Sequence, residues 1–413
     1  MNYFLLYFST LLIVFSTIGY GFLLSRIVNK ELINFNLGYL GLLGLLCLTI
    51  ISYTTIYFTA HNYTHNLIIH FIGICLFIYN IRTQKLNKEV LKLLILFSIL
   101  FLGMLIIRNH DDFNYYHFTY SLGLTQDKLQ LGLGNFQHGY KHHSSLFFFN
   151  SITYLPFIKF YLFHAVGWLT FLFTNFIILK FILNKKNIKE FNFNFVLYLV
   201  IFLFINVKFA RIGGYGTDIS GQLIMFILLP LIYSSLQKKE FKSNLDLSIL
   251  LISYITTLKV FFILNFLFLF SYFFFINVKN LIKYFLNARS ILVSFFTLLL
   301  LTSINISYTG CGIYPIKQTC FFDKISWAID EKTVEHLSMW YNLWSKAGAG
   351  PTHGVDNPEI YIQKFNWVSN WYYLYFEYKG YETLLGIVVI FILLSVIFYS
   401  KNIKSPKKMI KKL

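Results

Sequence analysis

The sequence predicts an all-α polytopic membrane protein, and three observations carry that prediction. Only 13% of the 413 residues are charged while 57% are hydrophobic, whereas a soluble chain is about 25% charged. The apolar residues gather in runs of roughly 20, the length a helix needs to cross a bilayer that offers the backbone no water. The 35 lysines and arginines, set against 17 acids, fall in short clusters between those runs, so the net charge of +18 is a topology signal and not a nucleic-acid footprint. An ordinary soluble enzyme, a disordered chain and a disulfide-stapled secreted domain are excluded.

Taken in order, the runs near 3–25, 37–59, 66–81, 90–107, 164–183, 192–207, 219–236, 288–306 and 383–400 each read as one span. Residues 246–278 read as two shorter spans folded at Lys259, which brings the total to about eleven. The first run lacks a basic start and a small-residue cleavage site, so it reads as a span and not as a removable signal. Arg26 and Lys30, Arg82 to Lys92, Lys185 to Lys189, Lys238 to Lys242, Lys279 to Arg289, and the tail from Lys401 to Lys412 fall in alternate connections. The positive-inside rule makes these cytoplasmic, with the N-terminus outside and the C-terminus inside. The opposite face then carries 60–65, 108–163, 209–218 and 307–380. The expected organisation is a membrane domain over 1–306 with an external loop 108–163, an external loop subdomain over 307–380, and a last span and basic tail over 381–413.

Acidic residues are scarce, so Asp111 and Asp112, adjacent at the head of the first external loop, are informative. They are expected to cap a short helix reaching about Leu122 and stopped by Gly123, with the helix dipole holding the carboxylates charged. Tyr116 lies one turn further on, with His117 beside it. Five of the eleven histidines (His110, His117, His138, His142 and His143) fall in this loop. They read as hydrogen-bonding or substrate contacts. No metal ligand is assigned, and a divalent cation is left open. In the second external loop, Arg211 suits bidentate phosphate binding, and Asp218 reads equally well as an N-cap and as a site residue. Lys259, flanked by apolar residues on both sides, reads as a functional cation facing an anionic group, because burial without a partner is costly. Cys47 and Cys75 fall inside spans, whereas Cys311 and Cys320 share an external, oxidising loop and are expected to form a disulfide.

D-D-F-N-Y-Y-H from Asp111, G-L-G-N-F-Q-H-G-Y-K-H-H-S-S from Gly132, T-G-C-G-I-Y-P-I-K-Q-T-C-F-F-D-K-I-S-W from Thr309 and F-N-W-V-S-N-W from Phe365 together resemble segments of a bacterial group of GT-C-type glycosyltransferase-like membrane proteins. Lys259 falls where that group carries an intramembrane lysine. The resemblance implies a GT-C-like helical bundle in a bacterial inner membrane, acting at the external face on a polyprenyl-phosphate sugar donor. The acceptor would be a glycan, lipid or protein hydroxyl. Asp111 or Asp112 would serve as base; Tyr116, His117, His138, Arg211, Asp218 and Lys259 would contact substrate. Two other readings stand beside this one: a polymerase or ligase of lipid-linked glycans, and a transporter or flippase of a lipid-linked sugar.

Overall fold

A computed structural model describes residues 2–105, 112–190, 192–207, 217–237, 241–272, 277–350, 353–381 and 383–388. The chain is helical, and the described residues hold no β-strand beyond isolated bridges. It divides into two compact units, one of residues 1–314 with 319–329 and the other of 315–318 with 330–413.

In the first unit the helices are α1 (Tyr3–Val28), α2 (Leu37–Thr55), α3 (Tyr63–Gln84), α4 (Asn87–Met104), α5 (Phe118–Gln126), α6 (Ser145–Ile152), α7 (Ala165–Ile182), α8 (Lys185–Glu190), α9 (Phe193–Val207), α10 (Thr217–Gln237), α11 (Lys242–Leu258), α12 (Val278–Asn287) and α13 (Arg289–Thr309). Six described helices are long and apolar enough to cross a membrane: α1, α2, α3, α7, α10 and α13. Helix α9 and the 3₁₀ helix Val260–Phe270 are shorter apolar segments at two further expected spans. Helix α4 fills the fourth expected run but starts in charged residues (Lys88, Glu89, Lys92). The span expected over 383–400 lies largely outside the described residues.

Burial separates central from peripheral helices. Helix α11 is buried without interruption from Leu245 to Leu258, and α2 and α7 are buried along most of their length; a helix apolar on every side belongs in the middle of a bundle. Helices α3, α4 and α13 bury one stripe and leave Phe71, Leu102 and Leu292 exposed, as a lipid-facing surface requires. Close crossings depend on absent side chains: a Cβ at Gly21 would sit 1.8 Å from Leu40 O, and one at Gly44 1.8 Å from Thr17 O. Small residues at these points let α1 and α2 pack backbone to backbone.

Ion pairs and hydrogen bonds gather the basic ends of the helices at one end of this unit. Arg26 on α1 donates to Asn80 on α3 (2.6 Å), Lys180 on α7 pairs with Glu89 on α4 (2.8 Å), and Arg289 on α13 donates to Ile27 O (3.1 Å). The end of α1, the segment from Asn80 to Glu89, the end of α7 and the start of α13 therefore meet there. Asp246, at the head of a stretch that reads as apolar, is buried at the same end and takes three hydrogen bonds.

At the opposite end, loops pack into a floor. Asn66 donates to Ser151 O (2.9 Å), and His61 meets Ser151 Oγ at 2.6 Å. Burial, and then the neighbouring His65, push the His61 imidazole down to about 3. Cys311 and Cys320 are disulfide-bonded (S–S 2.08 Å), and Gly312 N–H donates to Thr319 O alongside the bond. Cys47 is a buried free thiol and Cys75 an exposed one.

In the second unit, helix α14 (Glu331–Ser345) is capped by Asp330, whose carboxylate accepts from Thr333 N–H at 2.8 Å. Lys317 reaches Glu331 at 2.6 Å and also pairs with Glu335, and these hydrogen bonds push its ammonium pKa up. Tyr361 donates to Lys346 O (2.7 Å), closing the turn after α14.

Candidate functional site

Helix α11 ends at Lys259, which turns extended (φ −156°, ψ 125°) while its N–H still bonds Ile255 O at 3.1 Å. The next residues form the 3₁₀ helix Val260–Phe270. Phe262 is buried against α10 over Gly221, where a Cβ would lie 2.1 Å from the ring. That contact sets the first turn of α10 beside the end of α11, and Asp218 Oδ1 meets Lys259 Nζ at 2.5 Å. Lys259 therefore stands at a helix end with a partner, and not isolated in a span. Both side chains are about half exposed, 45% and 51%. Such a pair contributes only about 0.2–1 kcal/mol to stability. Its effect is to fix where the ammonium stands.

The histidine loop is fastened to the same helix end. Ser144 Oγ caps α6 by accepting from Leu146 N–H (3.2 Å), and Thr257 Oγ1, two residues before Lys259, donates to Ser145 Oγ (2.9 Å). His143 lies between two tyrosines, with Nε2 2.7 Å from Tyr53 OH and Nδ1 3.2 Å from Tyr120 OH. Burial pushes its imidazole down to about 3, so at neutral pH one nitrogen accepts and the other donates.

His138 opens the 3₁₀ turn His138–Lys141 and His142 follows it, and their Nε2 atoms are 3.1 Å apart. Burial lowers His142 to about 4, with further lowering from His138, Lys259 and Lys141. His138 is lowered too, by burial and then by Lys141. Two neutral imidazoles so placed share an N–H···N bond, or could turn both nitrogens to one cation. Among the described residues no group of three or more His, Cys, Asp or Glu is placed to hold a metal ion.

The segment after the acidic pair folds onto this turn. Tyr116 packs on Gly139, where a Cβ would lie 2.3 Å from the Tyr116 Cβ, and Gln137 donates to Tyr115 O at 2.9 Å. The Tyr116 ring is 6.4 Å from His142 and 4.4 Å from His117, and His117 is buried against Phe147 (4.9 Å). The local helix differs from the one expected. A single π turn, Phe113–His117, comes first, and α5 then runs through Gly123 to Gln126. Gly123 does not stop it, because an interior glycine costs only about 1 kcal/mol and the end is made later, by Asp127 N–H to Gly123 O. The rings of Tyr116 and Tyr120 both pack on Phe147, at 5.9 and 4.6 Å. Tyr120 goes inward to His143, and Tyr116 goes to Gly139. Asp112 precedes the π turn and makes no side-chain cap bond there.

Of the residues singled out in the sequence, Tyr116, His117 and His138 fall in one cluster, and Asp218 and Lys259 form a pair whose lysine acts on that cluster through His142. Asp112 is four residues before Tyr116. Asp111, His110 and Arg211 lie outside the described residues. Sequence reasoning missed the four-residue spacing of His138 and His142, which was visible, and the roles of Thr257, Gly139 and Gly221, which carry no local signal.

No curated protein and no solved structure shows significant similarity to the chain. A family model described as "Domain of unknown function (DUF8201)" matches residues 1–412, so the chain belongs to that family.

Proposed function

We propose that this protein is a GT-C-like membrane glycosyltransferase of about eleven spans, with the N-terminus outside and the C-terminus in the cytoplasm of a bacterial inner membrane. It transfers a sugar from a polyprenyl-phosphate donor to an acceptor hydroxyl on the external face. The observation that supports this best is the meeting of Lys259 and Asp218 with the histidine turn and the segment that follows the acidic pair. Transfer from a phosphate leaving group needs a base and a fixed cation. The acceptor oxygen attacks the anomeric carbon as Asp111 or Asp112 takes its proton. The bond from that carbon to the phosphate oxygen breaks, and the electron pair leaves with the phosphate. Lys259, held by Asp218 and joined by Arg211, balances the phosphate charge, and one displacement inverts the anomeric centre. Tyr116, His117 and His138 line the acceptor side. With His138 and His142 neutral, Lys259 and Lys141 are the cations that act on this cluster.

Proteoliposomes carrying a labelled polyprenyl-phosphate sugar test the reading. Wild type is expected to form a transfer product, and Asp111→Asn or Asp112→Asn to abolish it. Normal transfer in both variants would favour a polymerase or ligase. Movement of the donor across the bilayer with no product would replace the enzyme by a transporter. A reporter fused at the C-terminus that is active only in the cytoplasm should be active, and external activity would reverse the orientation.

A further inference from the structure

At the basic end, 17 residues along α11 from Lys259, lies a polar cavity of about 740 Å³. At about 1.5 Å per residue the two ends of α11 are roughly 25 Å apart, so this cavity is separate from the site above. It is lined by the end of α1, the start of α11, α12 and the start of α13.

Its floor is built around one carboxylate. Asp246 is 5% exposed and accepts from Tyr284 OH (2.6 Å) and Ser290 Oγ (2.5 Å) at Oδ1, and from Asn29 Nδ2 (2.9 Å) at Oδ2. Both oxygens are therefore engaged, and the carboxylate serves to draw four segments together. The rim carries Lys242, Lys283 and Arg289 with the amides of Asn280 and Asn287. Three cations against one satisfied carboxylate leave the cavity positive and rich in donors.

Helix α12 indicates where the occupant comes from. Its 10 residues reach about 15 Å, too short to cross a bilayer. It buries Leu281 and Tyr284 but exposes Val278 (51%), Ile282 (51%) and Leu286 (80%), which recur every four residues on one stripe. A short helix with an apolar stripe outward and lysines beside it is the pattern of an interfacial helix, and cations at that depth meet anionic headgroups.

We propose that this cavity binds the phosphate headgroup of an anionic membrane lipid, with Lys242, Lys283 and Arg289 on the phosphate. The chemistry recognised is a phosphate. The exposed apolar stripe lies on the other face of α12 and sets that helix, with the cavity beside it, at headgroup depth, which assigns the phosphate to a lipid over a free ion.

The test is native mass spectrometry of the full-length protein, delipidated and then offered phosphatidylglycerol, phosphatidylcholine or inorganic phosphate. Wild type should retain one phosphatidylglycerol through washes that remove phosphatidylcholine. Lys242→Gln/Lys283→Gln should lower that retention about 10-fold, a loss of about 1.4 kcal/mol. Neither lysine side chain makes a hydrogen bond or ion pair among the described residues, so the variant keeps the fold's contacts. Lys88→Gln/Lys92→Gln, at another basic cluster, should retain lipid as wild type does. Equal retention of phosphatidylglycerol and phosphatidylcholine, or undiminished retention by Lys242→Gln/Lys283→Gln, would overturn the site. Displacement of the lipid by millimolar inorganic phosphate would overturn the lipid assignment in favour of a soluble phosphate ligand. None of these outcomes depends on glycosyl transfer.

Discussion

Lys259 Nζ lies 2.5 Å from Asp218 Oδ1 although 41 residues separate them in the chain. The two meet because Phe262 seats on Gly221, three residues after Asp218 and three after Lys259. A half-exposed pair adds little stability, so its value lies in holding a cation at a fixed point.

Lys259→Met should therefore leave the unfolding midpoint nearly unchanged while lowering transfer about 30- to 1000-fold, the effect of about 2–4 kcal/mol of lost transition-state stabilisation. Asp218→Asn should lower transfer less, because the lysine keeps its charge and loses only its anchor. The double variant should be no more active than Lys259→Met. Recovery of transfer in the double variant would mean that the pair serves only to neutralise itself.

Gly221→Ala and Gly139→Ala should each destabilise by about 1–3 kcal/mol, since each added methyl meets a ring or its Cβ at 2.1 and 2.3 Å. Gly221→Ala displaces Lys259 through Phe262, and Gly139→Ala displaces the Tyr116 segment. Thermal unfolding with transfer assays measures both, and Phe262→Leu added to Gly221→Ala should recover part of the loss. Full activity with an unchanged midpoint in either single variant would contradict the packing described.

Acid should unfold the loop end before the rest. His61, His142 and His143 are held at about 3, 4 and 3, below the value of about 6.5 expected when unfolded. A depressed folded pKa means that the unfolded state binds protons first. The stability from these groups is complete above pH about 6.5 and is lost as pH falls toward 4, by up to about 1.4 kcal/mol per pH unit for each histidine. Unfolding midpoints taken from pH 7.5 to 4 should show this decline, and His143→Gln should make it shallower. A midpoint flat across that window would contradict buried neutral imidazoles.

Alkylation without reduction should label Cys75 and Cys47 once the protein is denatured, and leave Cys311 and Cys320 unlabelled until reduction. Cys311→Ser/Cys320→Ser should cost about 2–3 kcal/mol through loop-closure entropy. Labelling of either residue before reduction would refute the bond in the mature protein.

The helical membrane class, the places of the runs that became α1, α2, α3, α4, α7, α9, α10 and α13, the break at Lys259 and the Cys311–Cys320 pair were all legible in the order of residues. These are local sums: an apolar run of given length, a charge that interrupts it, or two thiols nine residues apart. The tertiary structure alone decided that Asp218 would hold Lys259, that His143 would sit between Tyr53 and Tyr120, and that Asp246 would anchor a cavity. It also decided that a π turn would precede α5 and that Tyr116 and Tyr120 would both meet Phe147. Each of these depends on which segments meet and how closely, and the close approaches at Gly21, Gly44, Gly139 and Gly221 rest on missing Cβ atoms. A glycine reads the same in sequence whether it admits a ring, a backbone or nothing. Only the neighbour that arrives from elsewhere in the chain tells these apart.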